Sequence, residues 1–226
     1  MKTLLSILTA LTLAVPALAQ PEVKPKSYDA MGCMLLQECT EGVTKITGID
    51  DIKQNFPEVS YVLVDAEFES LVSEMRRIGI GVFLASSRYF PPGHRGVYHT
   101  VGNNFFLNMD YMWDPQTLIE VTRHEGWHAA QDCMAGTIDN NNIAIIYRET
   151  LVPQEYHLRA DIAYAGMPHA MPWEREAMWS AEESYMTVNA LKACKNPNVD
   201  MWSVYPPTPM TGEWLIREGF WDGKVR

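Results

Sequence analysis

Five residues near the middle of the chain have types and spacing that can do chemistry: His124-Glu125-Gly126-Trp127-His128. Residues four apart on an α-helix share a face, so both imidazoles can meet one zinc ion at bond lengths of about 2.0–2.1 Å. Glu125 is turned about 100° from His124. That is too far round for a comfortable third ligand, yet close enough to reach a water beside the metal, which is the place of a general base in metal-assisted hydrolysis. With 6 histidines in 226 residues, the pattern is expected by chance on the order of 0.01 times.

A catalytic zinc site takes a third protein ligand and leaves its fourth position to water. A third histidine in an extended H-E-x-x-H-x-x-G-x-x-H pattern is ruled out, because Gln131 and Met134 stand where the glycine and that histidine would be. The ligand must come from further along, and Glu155, His157, Asp161, His169, Glu174 and Glu176 are the candidates. His94 and His99 are isolated and read as surface or structural residues, the bland reading of His169 as well. No Gly-rich phosphate loop or Gly-x-Ser-x-Gly elbow occurs, so nucleotide-dependent and serine-hydrolase chemistry find no support.

The elements that must position these residues follow from local signals. Asp114-Pro115 is a helix start, an N-cap acid followed by proline, and the helix should run to about Met134 and stop near Gly136. Leu118, Val121 and Ala129 lie on one side of it and Ile119, Ala130 and Cys133 on another, as in a helix buried inside a domain. Upstream, Asp65 can cap a helix carrying Phe68, Leu71, Val72, Met75 and Ile78, ended by Gly79 and Gly81. Three strand-like runs follow, Val82–Ser86, Gly96–Val101 and Asn104–Met109, parted by Pro91-Pro92-Gly93 and Gly102-Asn103 turns. Two further helical patterns cover residues 149–165 and 173–194. The tail, 195–226, is rich in Pro and Trp and reads as packed loop. The expected fold is α+β, a small, mostly antiparallel sheet with a buried histidine helix and further C-terminal helices. Tyr156 and His157 would assist an oxyanion only if helix 149–165 lined the cleft; nothing in the sequence orients that helix, which favours a packing role.

The first residues read as a secretory signal peptide. Lys2 precedes an apolar run from Leu4 to Val15, and Ala17-Leu18-Ala19 forms a small-residue cleavage site. The run is short for a membrane span, which needs roughly 20 residues. Removal of residues 1–19 from 226 leaves 207, expected to be one domain, 20–226, either secreted or periplasmic. The formal charge of −10 argues against nucleic acid and anionic membranes as partners. Cys33, Cys39, Cys133 and Cys194 suggest two disulfides, with three possible connectivities. Cys133 and Cys194 fall near the C-terminal ends of the two helices expected to flank the metal. A bridge there would tie those helices together and leave Cys33 and Cys39 to pair locally.

The pattern resembles the gluzincin group of zincin-type zinc peptidases, over roughly residues 65–190. In several gluzincin families a Glu-x-Glu-Ala run on a later helix supplies the third ligand through its second glutamate. Glu174-Arg175-Glu176-Ala177 is similar, so the resemblance implies that Glu176, 48 residues after His128, completes the site. Pro172 should start that helix, and the small Ala177 would let it approach the His helix. Met178 and Ser180 stand where related patterns carry an aspartate that orients a metal ligand. The resemblance also implies that residues 95–98 and 104–108 form the hairpin whose edge strand pairs with extended substrate.

The expectation for function is therefore a secreted zinc-dependent metallopeptidase acting on a peptide or protein, with His124, His128 and Glu176 on Zn2+ and Glu125 as base. Two alternatives belong to other classes: an inactive zincin-like binding or structural protein of an envelope or particle surface, and a zinc hydrolase acting on cell-wall crosslinks.

Overall fold

The computed structural model describes residues 29–224. The expected signal segment, 1–19, and the stretch 21–28 lie outside these residues. In chain order the elements are α1 (Ala30–Leu35), β1 (Val43–Lys45), α2 (Ile49–Asn55), α3 (Asp65–Ile78), β2 (Gly81–Ala85), β3 (Gly96–His99), β4 (Asn104–Asn108), α4 (Pro115–Met134), α5 (Gln154–Ala163), α6 (Met171–Glu182), α7 (Met186–Ala193), α8 (Met201–Val204) and α9 (Pro209–Arg217). Helices and a small sheet share one core, the α+β arrangement expected. No helix among the described residues is long and apolar enough to cross a membrane.

The sheet has the order β1-β2-β4-β3. Its outer pairings are antiparallel and its central one, β2 with β4, is parallel. The chain passes from β2 to the far edge, forms β3, and turns back through Gly102-Asn103 so that β4 slots between them. Strand β1 was not expected, since three residues are too few to show a period. Strand β3 remains at an edge, and α4 lies against it.

Helix α4 starts as its sequence says, with the Asp114 carboxylate accepting from the Gln116 and Thr117 amides. Leu118, Ile119, Trp127, Ala129, Ala130 and Met134 are all buried, so helices α3, α6 and α7 and strand β3 surround it. Gly126 is where α7 comes closest. A Cβ there would stand 2.9 Å from the Thr187 methyl.

The run 173–194 is not one helix. Helix α6 ends at Glu182, Tyr185 adopts a left-handed φ of 60°, and α7 starts afresh. A buried ion pair accounts for the break. Arg123 of α4 grips Glu67 of α3 through two hydrogen bonds of 2.9 and 2.6 Å. The same pair captures the turn, with Tyr185 N donating to Glu67 Oε1 and Arg123 reaching Ser184 Oγ and the Ala181 carbonyl. The apolar spacing reads through the break because both helices bury residues on α4.

The tail is also more ordered than expected, carrying α8 and α9 behind Asp200 and Thr208 caps. Its Trp202 packs on the core and donates to the Met134 carbonyl. The cysteines pair as proposed, Cys33 with Cys39 and Cys133 with Cys194.

Glu67→Ala strands Arg123 in the core, and losing one partner of a buried pair costs about 3–5 kcal/mol. Thermal and urea unfolding should show that loss in Glu67→Ala, and Glu67→Ala/Arg123→Met should recover part of it. A single mutant as stable as the wild type would remove the ion pair from its anchoring role.

Candidate metal centre and cleft

His124 and His128 point the same way from α4, their ring centroids 5.0 Å apart. Glu174, in the first turn of α6, meets them. Its Oε2 lies 3.3 Å from His124 Nε2 and its Oε1 3.6 Å from His128 Nε2. These three residues form a group that could hold a metal ion, with one ligand atom from each lying within 4.8 Å of the others. Donors at about 2.0–2.1 Å in a tetrahedron stand about 3.3–3.4 Å apart, close to the spacing seen. Glu174 Oε2 is buried without a hydrogen bond despite the nearby imidazole. The carboxylate lies against both rings at these distances, an arrangement that could also hold a cation between them.

The electrostatics agree. Burial would lower the His128 pKa, but the Glu174 carboxylate outweighs it and lifts the imidazole to about 9. Burial would raise Glu174, and the two imidazoles hold it well below the usual carboxylate range.

Glu176 is not at this centre, and the expectation from the Glu-x-Glu-Ala pattern is corrected. Two residues along a helix turn the side chain about 200°. Glu176, Ala177 and Ser180 form the buried face of α6, while Glu174 sits on the flank that faces His124 and His128. The Glu176 carboxylate is only 1% exposed and accepts from four N–H groups: Trp127 Nε1 (3.1 Å), Gln131 Nε2 (2.8 Å), Ile146 N (3.1 Å) and Tyr147 N (2.5 Å). Burial raises its pKa, and these donors offset only part of that rise. Ser180 donates to the Ala177 carbonyl, so it takes no part in orienting a metal ligand.

Glu125 opens onto a cleft of about 390 Å³ bounded by Arg95, Gly96, Val121, Tyr164, Met167 and Met178. Its Oε2 accepts from the Tyr98 amide of edge strand β3 at 2.8 Å. Gly96 permits this closeness: a Cβ there would lie 2.6 Å from Val121 and 3.3 Å from Glu125. Tyr164 also lines the cleft. Burial, then the charges of Glu174 and Glu125, push its hydroxyl well above the phenol range. Sequence reading missed it, since a lone tyrosine at a helix end carries no spacing signal.

The other candidates lie elsewhere. Tyr156 donates to Glu182, and His157 bonds the Val152 carbonyl. Asp161 pairs with Arg175, and Glu155 and His169 are exposed. His94 is exposed at the cleft rim, and burial lowers the pKa of His99. No family model, no curated protein and no solved structure matches this chain.

One titrating group lies behind Glu125. The Tyr98 hydroxyl donates to Asp132 Oδ2 at 2.7 Å. Burial raises Asp132 from 3.8 to about 7, opposed by the tyrosine bond. In the folded chain it keeps a proton that the unfolded chain loses at 3.8, so its contribution falls as pH rises from about 4 to about 7. Asp132→Asn should lack that fall. Its Tm advantage over the wild type should grow through this window and level off near pH 8. A Tm difference independent of pH would refute the shifted carboxyl.

Proposed function

We propose that this chain is an exported zinc metallopeptidase, held together by the same logic as the gluzincins it resembles but using the first glutamate of its Glu-x-Glu run. The observation that carries this reading is the gap bounded by His124, His128 and Glu174 at near-tetrahedral spacing, with Glu125 beside it in an open cleft. Both disulfides suit an oxidising compartment.

Zinc held there would polarise the scissile carbonyl and lower the pKa of a water toward about 7. The chain's own residues account for the rest. Glu125 keeps Oε2 on the Tyr98 amide, which leaves Oε1 to take the water proton. It then passes that proton to the leaving amine nitrogen. Extended substrate backbone would lie along β3, the edge strand beside the cleft. Tyr164 is held protonated by its surroundings, so it can donate to the oxygen that gains charge as the carbonyl becomes tetrahedral.

The purified chain should bind one zinc, measured by elemental analysis, and cleave an unfolded protein or peptide library. Glu125→Gln should keep the metal and lose hydrolysis by a factor on the order of 10²–10⁴, as removal of a general base does. Glu174→Ala should release zinc under mild chelation. Tyr164→Phe should lower kcat with the metal retained. Zinc content untouched by His124→Ala and His128→Ala would overturn the site, and a zinc-loaded wild type that cleaves nothing would favour the binding-protein alternative.

A further inference from the structure

The residue that breaks the longer histidine motif, Gln131, has a role of its own. It lies three residues after His128, hence beside it on α4, and it is fully buried. Its amide nitrogen faces Glu176 Oε2 at 2.8 Å and the Trp173 carbonyl at 3.1 Å. Its amide oxygen lies 2.8 Å from His128 Nδ1. A carboxylate and a carbonyl can only accept, so the NH₂ group must face those two oxygens. The other end of the amide is therefore an oxygen, and its partner His128 Nδ1 must carry hydrogen. A neutral imidazole with hydrogen on Nδ1 has its lone pair on Nε2, the nitrogen turned toward Glu174.

We propose that Gln131, locked in orientation by the buried Glu176, is the positioning residue that fixes His128 as its Nδ1–H tautomer and so presents Nε2 to the metal. The inference rests on the metal-site reading above. Glu176 thus acts on the centre at one remove, by fixing the amide that fixes the imidazole. The arrangement is rigid because Glu176 is itself held by three other N–H groups, two of them backbone amides. Partners that orient a ligand histidine are typically worth 10–100-fold in metal affinity.

The test uses the full mature chain labelled with ¹⁵N-histidine. In long-range ¹H–¹⁵N spectra, His128 should show hydrogen on Nδ1 both with zinc bound and in the metal-free chain at alkaline pH, because Gln131 holds that form without the ion. Hydrogen on Nε2 in the metal-free chain would overturn the proposal, and this wild-type spectrum decides the point even if a variant fails to fold. Gln131→Met keeps the side chain's length and removes all three of its hydrogen bonds, to His128, Trp173 and Glu176. Its zinc dissociation constant, measured by chelator competition, should rise 10–100-fold. Thr187→Val, which removes a buried hydrogen bond from a hydroxyl to the Arg123 carbonyl, is the structural control and should lower Tm with zinc affinity unchanged. Folded Gln131→Met with wild-type affinity would also overturn the proposal. A wild type that takes up no zinc overturns the metal reading instead, and the Nδ1–H form then stands or falls on the metal-free spectrum.

Discussion

Helix α4 is enclosed on most sides yet brings polar side chains inward with it, and each must find a partner because an unpaired buried polar group costs about 1–3 kcal/mol. Arg123 is answered by Glu67 of α3, Thr122 by the Leu118 carbonyl, Gln131 by Glu176 of α6, and Asp132 by Tyr98 of β3. Leu118 belongs to α4 itself; the other three partners lie on three different elements. Satisfying α4 therefore fixes α3, α6 and β3 around it in one arrangement, and leaves His124 and Glu125 toward the cleft. The requirement that buried polar groups be paired and the placement of the candidate centre are the same fact.

Two glutamates in one helix show how environment assigns roles. Glu174 has two imidazoles and a gap before it, with one oxygen lacking a hydrogen bond. Glu176 has four N–H groups and no free direction. An ion needs lone pairs that are not already spent, so the first can ligate and the second cannot. What the second can do is pin the segment carrying Ile146 and Tyr147 to α6 and hold Gln131 in place. The candidate ligand and its support thus come from residues two apart, on opposite sides of the same turn.

Much of this was legible in the sequence, and the failures have physical reasons. Helix α4 could be read because its cap, its proline and its doubled apolar faces are local signals, and α3 for the same reason of period. The short strands followed from turn residues, except β1, which is too short to show a pattern. The break at Tyr185 was invisible because its cause is a distant pair, Arg123 with Glu67, 56 residues apart. The expectation placed Glu176 with the histidines, whereas the structure brings Glu174 there, because spacing along a helix says that the two glutamates face apart but not which of them faces α4's histidines. Gln131 was noted only for the histidine pattern it broke. Its place one turn beyond His128 was visible, but the Glu176 contact that gives it meaning is tertiary.

The long disulfide bears on the same assembly. Cys133 lies in the last turn of α4 and Cys194 caps α7, so the loop they close, with a sequence separation of 61, contains both Glu174 and Glu176. By chain entropy, closing a loop of that length restricts the unfolded chain by roughly 4 kcal/mol. The bridge does not touch the gap between His124, His128 and Glu174, and it has no need to. The carboxylates come from a segment that must return to α4 after a long excursion through α5. A covalent tie at the far end of that excursion reduces the number of ways it can fail to return. Local hydrogen bonds then decide the final orientation: Glu176 seats α6, Gln131 turns His128, and Glu174 is carried to the imidazoles by the rotation of a helix already fixed in place.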